Sequence, residues 1–149
     1  MSANSSAFPR TQAAPVPAEA AAPIVFLGRL LFVLIFVMTG ATHFLSQSIA
    51  YAASKGVPMA SIVVPFSGVL ACLGGLSVLL GYRARIGAWL IVLFLVCVTP
   101  MMHNFWTVAD PMMYQIQFAM FMKNLSMMGA ALLITQYGSG PWSLDSRKR

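Results

Sequence analysis

The sequence predicts an all-α fold, an integral membrane four-helix bundle. Three observations carry that expectation. The 149-residue chain is 59% hydrophobic and 8% charged, with a mean hydropathy of +0.81, whereas a soluble domain has about 25% charged residues. Four apolar stretches each approach the roughly 20 residues that a helix needs to cross the hydrocarbon core. The sequence lacks the alternating segments of about ten residues that mark a membrane barrel, and an open sheet would leave backbone groups unpaired in lipid.

The elements follow in order. Residues 1–23 are rich in Ala, Pro and Ser, cannot bury a core, and read as a disordered cytoplasmic tail. The first span is Ile24–Leu45, with Pro23 suited to its first turn. Tail and span together resemble a signal peptide, with Ala50-Tyr51-Ala52 as a small-x-small site. The apolar run exceeds a signal core of about 7–15 residues, so it reads as a retained helix. Ser46–Gly56 reads as a short interfacial helix, capped by Ser46, ended by Gly56, and with Tyr51 at headgroup level. The second span, Ser61–Gly81, places Ser67, Ala71 and Gly75 at four-residue spacing beside Gly68, a face that lets another helix approach. The third, 84–104, contains Pro100, which should kink it one turn before His103. The fourth, 112–135, offers Gly129 and Ala130 as a second contact face. The four-span domain thus runs over 24–136, and 137–149 reads as a basic cytoplasmic tail that touches anionic headgroups.

Charge sets the orientation. Of nine Lys and Arg, Arg10, Arg83, Arg85, Arg147, Lys148 and Arg149 share one side of a four-span chain, Lys55 stands on the other, and Arg29 and Lys123 lie within spans. The positive-inside rule puts both termini and the Arg83/Arg85 turn in the cytoplasm, and the loops Ser46–Ala60 and His103–Pro111 outside. Arg29 lies about one turn inside its boundary and reads as a snorkelling side chain. The net charge of +6 flanks apolar spans and does not form a phosphate-binding face, so nucleic acid is excluded as a partner. The bilayer is the certain one.

Lys123 lies mid-way along the fourth span without a nearby acid, and such a residue marks a functional site by default. Its plain alternative is a stem that snorkels to the headgroups. Lys123 and Asn124 are about 15 Å down the helix from its outer start, with Gln115 and Gln117 above them. At the outer end lie His43, His103, Asn104 and Trp106. Together these residues outline one vestibule that would hold a polar head on an apolar tail. A quinone fits, because its carbonyls accept hydrogen bonds, a cation stabilises its reduced anion, and histidine carries a proton near neutral pH. Another amphiphile would fit as well. Cys72 and Cys97 sit at different depths and read as buried filler, not as a disulfide.

Five segments resemble one known family. GRLLFVLIFVMTGATHF in the first span, YAASKGVP in the outer loop, HNFW after the third span, QIQFAMFMKNLSMMGAALL in the fourth and GPWSLD near the end are similar, in that order, to the DoxX family. The resemblance covers about Ile24 to Asp145. Relatives often carry lysine where this chain has His43. The resemblance implies a bacterial inner-membrane four-helix bundle that serves a membrane redox system, as a subunit or quinone-binding partner of a soluble or membrane oxidoreductase. Whether the chain is itself an enzyme stays open.

Two other readings stand beside it. One is a non-enzymatic scaffold or assembly subunit that docks a soluble partner, with a homo-oligomer also compatible. The other is copper handling, since eight of the eleven methionines fall between Met101 and Met128 and thioethers suit Cu(I), with His103 and His43 as co-ligands. Methionine also fills gaps between helices, and adjacent residues point about 100° apart on a helix.

The charge asymmetry predicts that reporter fusions at Lys55 and Asp110 read as external, and that fusions at Arg85 and Arg149 read as internal. An external C-terminus would reverse or break the four-span topology.

Overall fold

The computed structural model describes residues 18–148. The described residues are helical, without strands, and four helices are long and apolar enough to cross a membrane. Five α-helices are present: α1 (Ala18–Thr42), α2 (Ser46–Ser54), α3 (Ala60–Leu80), α4 (Ala84–Met102) and α5 (Pro111–Tyr137). Short 3-10 turns cover Phe105–Thr107 and Ser146–Lys148.

Local chemistry explains the boundaries. α1 begins at Ala18, so residues 18–23 are helical and Pro23 lies inside the helix; residues 1–17 of the expected tail lie outside the described residues. Leu45 occupies the N-cap of α2, and Ser46 makes no cap hydrogen bond there. Gly81 ends α3 in the left-handed region at φ +62°, a conformation that glycine adopts without a Cβ clash. Asp110 caps α5 by accepting from the Met113 backbone N–H at 2.7 Å, and Pro111 takes the first helical position, where its missing N–H costs nothing.

The long helices pack as a row, α1 on α3, α3 on α4, and α4 on α5. Among the long helices α5 packs substantially against α4 alone. α4 is the most buried span, at 39% of its apolar stretch, and α5 the least, at 17%. The main core joins Val33 and Phe36 of α1, Ala71 and Val78 of α3, and Ala88, Ile91, Phe94 and Leu95 of α4. α5 contributes Ala131. A smaller cluster of Ala52, Ala60 and Val64 seats α2 on the start of α3.

Glycine sets the close approaches. A Cβ on Gly68 would lie 2.7 Å from the Gly40 carbonyl oxygen and 2.8 Å from the His43 Cβ. On the other side of α3, a Cβ on Gly74 would lie 2.8 Å from the Gly87 carbonyl oxygen. α3 therefore has a backbone-close face toward α1 and another toward α4. Gly129 of α5 has no neighbour within 4 Å of its Cβ position, so it makes no such contact within the chain.

The C-terminal segment folds back as a strap instead of trailing as a tail. Leu144 and Asp145 donate backbone N–H groups to the carbonyls of Leu80 and Gly81 at 3.1 and 2.8 Å. The Asp145 carboxylate accepts from the Arg83 and Ala84 backbone N–H groups at 3.0 and 3.1 Å, which caps α4. Arg29 does not snorkel. It is 4% exposed, and its Nη2 donates to the Trp142 and Pro141 carbonyls. The strap thus joins α1, the end of α3 and the start of α4.

Gly68→Val should destabilise the fold by about 1–3 kcal/mol, because the nearest opposing atom is the Gly40 backbone carbonyl oxygen, which cannot yield. Gly129→Ala should cost nothing, with open space around it and a better helix former in place. Thermal unfolding of both variants in one detergent compares them directly.

Candidate functional site

The α4–α5 seam begins where α4 ends. The residue type there is histidine: His103 donates its backbone N–H to the Thr99 carbonyl at 3.0 Å, and its Nδ1 lies 2.9 Å from Gln117 Oε1. An amide oxygen accepts, so in this pairing Nδ1 carries a proton and donates it. Gln117 is 7% exposed and Asn124, seven residues on, is 6% exposed. Seven residues is two helical turns, so both project along one side of α5 toward α4, with Ala131 continuing the line. Asn124 makes no side-chain hydrogen bond to another described residue. Thr99 is 2% exposed, and its hydroxyl is also without a partner. A hydroxyl buried this way costs about 1–3 kcal/mol.

The turn after α4 carries an aromatic cap. Phe105 packs edge-on against Trp106, Tyr114, Phe118 and Phe121, at centroid distances of 5.1 to 5.6 Å. Trp106 is 56% exposed and leans on Phe121. Asn104 is half-buried, and its backbone carbonyl accepts from the Thr107 N–H and hydroxyl.

The expected vestibule is divided. His43 joins a different group, with its Nδ1 3.1 Å from Ser67 Oγ on α3 and its ring 5.8 Å from that of Phe94 on α4. Lys123 and Gln115 are exposed on the outside of α5. The reason is angular: Lys123 follows Asn124 by one position in reverse, and adjacent residues diverge by about 100°. If Asn124 faces α4, Lys123 cannot. The structure therefore brings together His103, Gln117 and Asn124, keeps Asn104 and Trp106 beside them on the connecting turn, and leaves His43, Lys123 and Gln115 elsewhere. The sequence reading placed Ser67 on a helix-contact face only, and passed over Phe94 and Thr99. The seven-residue spacing of Gln117, Asn124 and Ala131 was the signal that separates Gln117 from Gln115.

No group of three or more His, Cys, Asp or Glu close enough to hold a metal occurs among the described residues. The methionines scatter: Met101, Met112, Met113, Met120 and Met122 are exposed, and Met102, Met127 and Met128 are half-buried.

Comparison with known proteins decides the family. The SURF4 family model matches residues 12–149. The chain belongs to the SURF4 family. It is 30% identical over 135 residues to the inner membrane protein YphA of Escherichia coli, covering 86% of this chain and 93% of that protein. It is 28% identical over 130 residues to the ER-derived vesicles protein ERV29 of Saccharomyces cerevisiae, covering 85% of this chain. The chain spans about a third of the length of that yeast relative, 34%. No solved structure matches the chain.

Membership in the SURF4 family overturns the DoxX assignment and the redox role drawn from it. Quinone binding and an oxidoreductase partner lose their support. The misreading has a physical cause. The five segments consist of apolar runs, small residues at helix contacts and turn residues, which any small four-span bundle needs. None carries a group tied to one chemistry.

Gln117→Leu should lower stability by about 1 kcal/mol, because it leaves the His103 Nδ1–H without its acceptor. Asn124→Leu should be neutral or stabilising, because it removes an amide that has no hydrogen-bond partner among the described residues. Melting temperatures in detergent distinguish the two, and equal losses would contradict the assignment of the seam's hydrogen bonds.

Proposed function

We propose that this SURF4-family protein acts by binding, and that α5 is the helix along which a partner's membrane segment lies. One observation carries the reading: Lys123 is exposed half-way along the span that is least packed by its own chain. A lysine facing lipid at that depth costs about 2.5–3.5 kcal/mol on insertion scales. A partner that offers a carboxylate or carbonyl oxygen would remove much of that cost. A symmetric contact of two copies through this residue would set ammonium against ammonium, so the partner is a different chain.

The face around Lys123 suits a close approach. Ala119, Ser126 and Ala130 lie at three- to four-residue intervals around it, and Gly129 is open. The same helix turns Gln117 and Asn124 toward α4, so the partner face and the seam are opposite sides of one element. The protein would act in a bacterial inner membrane, as the name of its E. coli relative suggests, with both termini cytoplasmic.

A photo-crosslinking residue at Ser126 should give a discrete adduct in intact membranes. Lys123→Met should reduce that adduct several-fold at equal protein level, and Lys123→Glu should abolish it. Melting temperature should hold or rise in Lys123→Met, since a charge leaves the membrane. An unchanged adduct in both variants would reduce Lys123 to a snorkelling side chain.

A further inference from the structure

We propose that the cavity between the start of α4 and the C-terminal strap binds the phosphate of an anionic membrane phospholipid. The cavity is about 600 Å³, and Arg83, Arg85, Ile86, Tyr137, Ser139 and Asp145 contribute to its walls. That volume suits a small-molecule headgroup. The site lies at the opposite end of α5's partner helix from His103, and the inference is independent of the α5 reading.

Four features converge there. Arg83 and Arg85 are exposed to the cavity, and neither guanidinium hydrogen-bonds to a described residue. The Arg83 guanidinium lies over the Tyr82 ring, at 5.8 Å. The one carboxylate in the wall, Asp145, spends both oxygens on the Arg83 and Ala84 backbone N–H groups. It orders the turn and leaves the guanidinium forks for another anion. Ser139 is 6% exposed and lines the same cavity, and its hydroxyl has no partner among the described residues. Two planar guanidinium forks and a hydroxyl donor are what a phosphate accepts from, with bidentate geometry from each arginine. Arg83 also sits at φ +48°, in the left-handed region that a side chain enters at a cost. The chain keeps an arginine where glycine would be unstrained, and strain of that kind collects at binding sites.

The position selects a lipid over a soluble anion. The cavity opens where α4 begins and α5 ends, so it lies at the level of one membrane surface. Ile86 is 56% exposed and Tyr137 is 82% exposed beside it. They give an acyl chain and a glycerol backbone an amphipathic wall, while the arginines take the phosphate. Basic pockets among membrane helices on the cytoplasmic side recognise headgroups in this way.

The test uses the full chain, purified in mild detergent and exchanged into mixtures of phosphatidylglycerol and phosphatidylcholine. Native mass spectrometry should show one phosphatidylglycerol retained in preference to phosphatidylcholine. Arg83→Gly combined with Arg85→Gln should weaken retention about tenfold, as loss of charge-assisted bonds requires. Arg83→Gly keeps the N–H that Asp145 accepts from and suits the positive φ, so the fold should survive, as melting temperature will report. If the double variant fails to fold, Arg85→Gln alone carries the same expectation at smaller size, and Ser139→Ala a smaller loss still. Equal retention of the two lipids overturns the proposal, as does unchanged phosphatidylglycerol retention in a folded double variant. Stabilisation by inorganic phosphate equal to that by phosphatidylglycerol would make the ligand a soluble anion and overturn the lipid assignment.

Discussion

The rest of the structure depends on how closely α3 can approach its two neighbours. In lipid, apolar side chains gain little from meeting each other, because the acyl chains are as apolar as they are. What holds the helices is dispersion over well-fitted surfaces, and that requires short distances. Gly68 against Gly40, and Gly74 against Gly87, provide them on the two sides of α3. α3 is therefore the centre of the row. α1 and α4 attach to it, and their ends then place His43 beside Ser67 and carry α5 on the far side of α4.

A second constraint acts at the strap. A guanidinium inside a membrane protein needs acceptors, and Arg29 finds them in the Trp142 and Pro141 carbonyls. Those carbonyls are available because the strap is itself anchored, by Leu144 and Asp145 on the end of α3 and by the Asp145 carboxylate on the start of α4. Arg29 Nε and Nη1 are buried without hydrogen-bond partners among the described residues, and the Phe26 ring 5.7 Å away offers a cation–π contact. One buried charge and one acidic residue thus tie residues 61 to 113 positions apart. The same folding leaves Arg83 and Arg85 facing a cavity with no carboxylate to spare.

α5 contrasts with this. It has one long-helix neighbour, the least burial, and polar groups on two sides. A helix so loosely held by its own chain is suited to binding another. ERV29 is a longer protein, and this chain matches 34% of it.

Length and hydropathy sufficed for the four membrane helices, because a span of 20 apolar residues has few alternatives. The face of α3 with Ser67, Gly68, Ala71 and Gly75 was also legible, since small residues at four-residue spacing line one side of a helix whatever surrounds it. Which helix met that face was not, and neither was Gly74's contact with Gly87. The candidate site was legible only as a set of residue types. Depth placed Lys123 and Asn124 together, but the rotation of α5 about its axis separates them, and rotation is set by packing against α4. Arg29 was read from its depth as a snorkelling side chain; its acceptors lie 112 and 113 residues away, and no local pattern announces a contact at that separation. Composition and periodicity report what each helix is. Tertiary structure decides which way each helix turns and what folds back onto it, because those depend on contacts between segments far apart in the chain.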